Sequence, residues 1–195
     1  MSRNVVIIGH SGAGKSSLIN MLYPRAGAAT SDDLKGCTKA ERVYGPCDIG
    51  EQQYCQLHDT IGLEEGFWGL LWAPKAEKQL KAYLKRIRPQ LLVYCMPGVR
   101  SSLKKSHGRN FNKFKSVVGN RVPIVVVVTN LEASGNPEGW WSANLDTLRK
   151  LGIPVSTSHA CVTTLPEVYL PPASGLYHTS REAVKALIRN NLPSY

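Results

Sequence analysis

Gly9-His10-Ser11-Gly12-Ala13-Gly14-Lys15-Ser16 is the stretch on which the fold turns. It satisfies the pattern G-x-x-x-x-G-K-[ST]. A match of this kind carries weight only between a strand and a helix, and both flanks are present. Asn4–Ile8 is a short β-branched run that ends in glycine, the pattern of a buried strand. Lys15–Leu22 reads as helix, with Leu18, Ile19 and Leu22 on one side. Glycines let a backbone wrap closely around phosphate oxygens, while amide N–H groups and the positive end of a helix dipole face the anion. The expected phosphate contacts are therefore His10, Ser11, Gly12, Ala13, Gly14, Lys15, Ser16 and Ser17. Lys15 adds a point charge for the β- and γ-phosphates. The Ser16 hydroxyl suits Mg²⁺, which prefers oxygen ligands and keeps several waters.

Further along, Asp59-Thr60-Ile61-Gly62 follows a second strand as a D-x-x-G motif. Asp59 is expected to hold Mg²⁺ and the Gly62 amide to donate to a γ-phosphate, so that the loop behind it orders only with a triphosphate. The polar, aperiodic stretch from Pro24 to Thr38 reads as a loop. It should supply a threonine that senses Mg²⁺ and the γ-phosphate. Thr38, just before the next strand, is chosen; Thr30 and Ser31 are its rivals. Lys15, Thr38 and Gly62 are the expected catalytic groups, and Ser16, Thr38 and Asp59 the expected metal ligands.

The rest of the chain alternates strand-like and helix-like segments, the pattern of a sheet covered on both faces. Strands are expected at Glu41–Cys47 and Gln53–His58, paired around the Asp48–Gly50 turn, and at Leu91–Cys95, Ile124–Val128 and Ile153–Ser156. Helices are expected up to Arg88, where Pro89 stops the run, over Arg109–Val118, and from about Ser142 to the Gly152 stop. Thr179-x-x-Glu182 resembles a capping box opening the last helix. The expectation is a three-layer α-β-α P-loop domain spanning 1–195, with a mainly parallel six-stranded sheet and one antiparallel edge strand.

No apolar run approaches the ~20 residues of a membrane helix, and Val5–Ile8 is too short for the apolar core of a secretion signal. The cysteines Cys37, Cys47, Cys55, Cys95 and Cys161 are odd in number and lack C-x-x-C spacing. Both features lead to the expectation of a cytoplasmic protein with reduced thiols. The net charge of +10 is concentrated: between Lys75 and Arg121 stand thirteen Lys/Arg against Glu77 alone. This basic flank serves either solubility and a long-range pull on a polyanionic nucleotide, or docking to an acidic protein or anionic membrane surface. Its aromatics sit at core spacing, which disfavours nucleic acid.

With these motifs placed, the chain resembles the translation-factor-related class of P-loop GTPases. Within it, it is similar to the septin-like and immune-associated (paraseptin) branch, in particular to small fungal single-domain members. The resemblance rests on Gly9–Ser17, Asp59–Glu65, Pro123–Glu132, the Trp140-Trp141 pair and His159-Ala160-Cys161. It implies GTP/GDP with Mg²⁺ as ligands, and pairing of two copies through the nucleotide face. It also implies a guanine motif, [NT]-K-x-D, whose place is taken here by Thr129-Asn130-Leu131-Glu132. The lysine is Asn130, and the aspartate is Glu132, a carboxylate one methylene further out. Ala160 would supply the amide to guanine O6, with His159 beside the base. Trp140 and Trp141 either cover the base or partner, or pack.

Many members place a water-orienting glutamine after D-x-x-G; Leu63 stands there. His10, Ser11, His58, Glu64 and Glu65 are the nearby polar candidates, and Arg25 is a candidate arginine finger. Three readings follow: a slow GTPase switch, a non-catalytic nucleotide-binding module, and an ATP-using P-loop protein.

Overall fold

Alternating apolar patterns translate into β1 (Asn4–Gly9), α1 (Lys15–Leu22), β2 (Arg42–Asp48), β3 (Tyr54–Asp59), α2 (Pro74–Ile87), β4 (Leu91–Pro97), α3 (Lys105–Val118), β5 (Ile124–Thr129), α4 (Gly139–Ala143), α5 (Leu145–Leu151), β6 (His159–Cys161) and α6 (Leu176–Asn191). The computed structural model describes residues 3–28, 42–60, 74–99, 103–172 and 174–193, the side chains of 74–77 excepted. The strands form one sheet in the order β2-β3-β1-β4-β5-β6. All neighbours are parallel except the edge strand β2, which runs antiparallel to β3. This is the expected six-stranded sheet with one antiparallel edge.

Side chains alternate across the pleat, so each strand feeds two cores. Val5, Ile7, Val93, Cys95, Val125 and Val127 pack with Leu18, Ile19 and Leu22 of α1 and Val184 and Ile188 of α6. Val6, Ile8, Tyr94, Met96, Val126 and Val128 pack on the opposite face with α2, α3 and α5 through Leu80, Leu84, Phe111, Phe114 and Leu148. The two cores make the three layers. Among the described residues, Cys47, Cys55, Cys95 and Cys161 are buried and form no disulfide; Cys37 lies outside them.

Three expectations are corrected. Ile153–Ser156 is not a strand: Pro154 cannot donate to a ladder, and Thr157 N–H instead closes a turn on its carbonyl at 3.0 Å. The sixth strand is His159–Cys161, in register with Val126–Val128 of β5. The helix expected from Ser142 is two short pieces, α4 and α5, separated at Asn144 with φ −121° and ψ 19°. Its side-chain amide donates to the Trp140 carbonyl at 2.7 Å. Finally, Thr179 does not cap α6. The helix begins a turn earlier, and Thr179 lies inside it, its N–H bonded to the Gly175 carbonyl. The cap comes from Glu167, whose carboxylate accepts from the Gly175 and Tyr177 amides and the Ser174 hydroxyl at 3.0–3.2 Å.

Candidate functional site

The phosphate loop leaves the sheet at Gly9, which pairs with Cys95 of β4. A Cβ on Gly9 would come within 2.4 Å of the Cys95 carbonyl oxygen, so no other residue fits this exit. The loop returns through Gly14, left-handed at φ 76° and ψ 17°, which opens α1. A Cβ there would lie 3.1 Å from Thr129 Oγ1. Thr129, fully buried at the end of β5, donates to the Ala13 carbonyl at 3.0 Å, with a longer contact of 3.4 Å to the Met96 carbonyl. Across the same loop, Lys15 Nζ donates to the carbonyls of Gly9 at 3.0 Å and His10 at 2.8 Å. Lys15 is only 6% exposed. The ammonium is thus fixed within the loop, as a group that grips an anion should be. Ser11 and Gly12 are exposed at the mouth.

Asp59 ends β3 alongside Ile7 of β1 and is 1% exposed. The next residue, Thr60, donates its hydroxyl to the Ile7 carbonyl at 3.0 Å. Ser16 occupies the first turn of α1, half-buried. A buried carboxylate and a hydroxyl are hard oxygen donors and fit Mg²⁺. Thr38, Gly62, Leu63, Glu64, Glu65, Thr30 and Ser31 lie outside the described residues. Arg25 is exposed beyond the end of α1.

On the base side, Asn130 is left-handed at φ 60°. It turns the chain off β5, with Leu131 buried and Glu132 half-buried behind it. Glu132 Oε1 accepts from Thr163 Oγ1 at 3.2 Å, and Thr163 Oγ1 in turn accepts from the Leu165 N–H at 3.2 Å. This contact ties the loop after β5 to the loop after β6. Thr163 was not singled out from sequence, because placing the last strand at Ile153–Ser156 put His159–Cys161 in the loop position. His159 and Ala160 lie within β6 itself. The His159 ring stacks flat on Trp141 at 3.9 Å, its Nδ1 2.9 Å from the Thr157 carbonyl. Both tryptophans pack: Trp140 Nε1 donates to Gly98 O at 2.8 Å and Trp141 Nε1 to Val155 O at 3.1 Å.

Beside the phosphate loop lies a cavity of about 310 Å³ lined by His10, Ser11, Gly12, Pro97, Lys104, His107 and Asn130. His10 meets His107 of α3 edge-on at 4.9 Å, and its Nε2 is 2.9 Å from Asn110 Nδ2. An amide nitrogen only donates, so His10 Nε2 accepts and the ring proton sits on Nδ1. Burial, then the neighbouring His107, Lys15 and Lys104, lowers the His10 pKa to about 4. The ring is therefore neutral near pH 7. Neither His107 nor Asn110 carries a sequence signal, since the contact joins positions 100 residues apart.

A family model described as 50S ribosome-binding GTPase matches residues 4–130. No curated protein matches in sequence. Among solved structures, an Era variant from Aquifex aeolicus bound to GDP·AlF4⁻ is 18% identical, with a TM-score of 0.60 over 100% of this chain and 58% of that one. The LeoA bacterial dynamin GTPase from ETEC is 16% identical with a TM-score of 0.59, over 97% of this chain. A probable GTP-binding protein, EngB, is 12% identical with a TM-score of 0.57. The chain spans 36% of LeoA but 99% of EngB. At these identities the likeness is one of fold.

Proposed function

The chain belongs to the 50S ribosome-binding GTPase family, and from that premise we propose that it is a GTP-binding switch domain that hydrolyses its nucleotide slowly. One observation carries the reading: Lys15 is buried and clasped by the Gly9 and His10 carbonyls at 3.0 and 2.8 Å. Burying an ammonium is costly, and a glycine-rich loop that holds one this way beside its own amides is built for an anion. Residues 10–17 take the phosphates. Ser16 and Asp59, with Thr38, would hold Mg²⁺, which neutralises charge on the transferred phosphoryl group. Thr129, Asn130 and Glu132 form the base side. His159, stacked on Trp141, and Ala160 adjoin it from within β6. A solved complex of Era contains MgGDPNP, which fits this ligand set.

Within the family, Pro123–Glu132, the tryptophan pair and His159–Cys161 favour the septin-like, immune-associated branch. We read residues 1–195 as a single cytoplasmic domain able to pair through its nucleotide face. Among the described residues, no helix is long and apolar enough to cross a membrane.

Calorimetric titration at millimolar Mg²⁺ tests the ligand. GTP should bind at least ~10-fold more tightly than ATP, about 1.4 kcal/mol. No heat with either triphosphate, for folded protein, would overturn the proposal. A second reading, a non-catalytic nucleotide-binding module, is favoured by Leu63 at the position of the usual glutamine. A single-turnover assay separates the two: slow phosphate release supports the switch, none supports the module, and a rate above ~1 s⁻¹ contradicts both.

A further inference from the structure

We propose that the outer face of α2 and α3 is a docking surface for an anionic lipid membrane. The two helices cover the same side of the sheet through Leu80, Tyr83, Leu84, Phe111 and Phe114, which are all buried. That packing turns Lys78, Lys81 and Lys85 of α2 outward, at helical spacing. Lys105, Arg109 and Lys115 of α3 are exposed beside them. Each helix has 14 residues, about 21 Å of length. The face is thus on the order of 20 Å across, given ~10 Å between helix axes. Glu77 is the lone acid between residues 75 and 121. No ion pair among the described residues takes up Lys78, Lys85, Lys105 or Arg109.

The chemistry between the charges selects the partner. Gln79, Ala82, Asn112 and Ser116 fill the exposed positions among the basic residues. A folded protein partner buries an apolar centre ringed by polar contacts, and this face exposes no large apolar side chain among its described helical residues. Single-stranded nucleic acid needs exposed aromatic rings on which bases stack; here the rings face the core. A layer of anionic headgroups needs only spread positive charge, each Lys or Arg near the surface strengthening binding about fivefold. The proposal rests on fold and charge, and it stands or falls independently of the nucleotide reading.

Vesicle sedimentation of the full chain tests it. The protein should pellet with phosphatidylcholine vesicles containing about a third phosphatidylserine, stay in solution with phosphatidylcholine alone, and be released as salt rises. The quadruple variant Lys78→Glu, Lys85→Glu, Lys105→Glu, Arg109→Glu should lose at least ~100-fold in partitioning while keeping its circular dichroism spectrum and GTP affinity. A companion with the lysines changed to Arg and Arg109 to Lys should bind as the parent does. The proposal is overturned if anionic vesicles do not pellet the protein, if the reversed variant binds equally well, or if only a duplex RNA or an acidic polypeptide is bound.

Discussion

Thr129 Oγ1 donates to the Ala13 carbonyl at 3.0 Å, joining the end of β5 to the phosphate loop across 116 positions of sequence. The bond is fully buried. It fixes the loop between its two glycine turns. Replacing Thr129 with Val keeps the volume but strands the carbonyl, a loss of about 1–3 kcal/mol. Chemical denaturation should show that loss, and GTP affinity should fall with it. An unchanged midpoint would mean that the loop holds its shape without β5.

Lys15 should separate binding from stability. Lys15→Met retains the stem and removes the ammonium that bonds Gly9 and His10. Nucleotide affinity should drop by at least ~100-fold, about 2.7 kcal/mol. The melting temperature without nucleotide should move little, since the desolvation cost that leaves with the buried cation offsets the two hydrogen bonds lost at the Gly9 and His10 carbonyls. Equal affinity in the two proteins would remove the loop from the binding site.

The fold and phosphate loop were legible because their signals are local. β-branched runs, a glycine pattern between strand and helix, and Asp59 at a strand end follow from neighbours in sequence. The end of the chain was not. Ile153 and Val155 look strand-like, but Pro154 and the turn at Thr157 take that segment out of the sheet, and the ladder with β5 is made by His159–Cys161. Likewise Thr179-x-x-Glu182 satisfies a capping pattern, yet the cap is Glu167, eight to ten residues before the amides it binds. Thr163, His107 and Asn110 were illegible for the same reason. Their roles depend on which loops and helices the sheet order brings together.

His10 should make stability depend on pH. Its pKa is about 4 when folded and near 6.5 in the open chain. Below pH 6.5 the unfolded state gains a proton that the folded state refuses until about pH 4. The neutral-ring contribution is therefore complete above pH 6.5 and is lost as pH falls through that window. His10→Gln keeps an acceptor for Asn110 and cannot titrate. The melting temperature of the parent should fall further between pH 7 and 5 than that of the variant. Parallel profiles would show that His10 takes its proton in the fold as readily as in the open chain.

Gly108 marks where α3 meets α5. A Cβ there would stand 1.6 Å from the Leu151 carbonyl oxygen, and Asn112 Nδ2 bridges the Gly108 and Gly152 carbonyls at 3.0 Å each. Backbone cannot yield as a flexible side chain does. Gly108→Ala should cost about 3 kcal/mol or more, read as a lowered denaturant midpoint. A loss below ~0.5 kcal/mol, the scale of an exposed substitution, would place the two helices further apart.

Glu132 should decide the base. Its carboxylate is positioned by Thr163 at 3.2 Å, which ties it to the loop after β6 rather than leaving it free in solvent. If it accepts from the N1 and N2 groups of guanine, inosine triphosphate, which lacks the N2 amino group, should bind more weakly than GTP. One lost charge-assisted bond is worth about 1.5–3 kcal/mol, roughly 10- to 150-fold. Glu132→Ala should bring the two nucleotides to equal, weakened affinity. Thr163→Val should narrow the gap without closing it, because the carboxylate remains but loses the hydroxyl that orients it. A parent protein that binds inosine triphosphate and GTP alike would show that Glu132 does not touch the base, and that the Lys-to-Asn and Asp-to-Glu departures have removed guanine recognition from this loop.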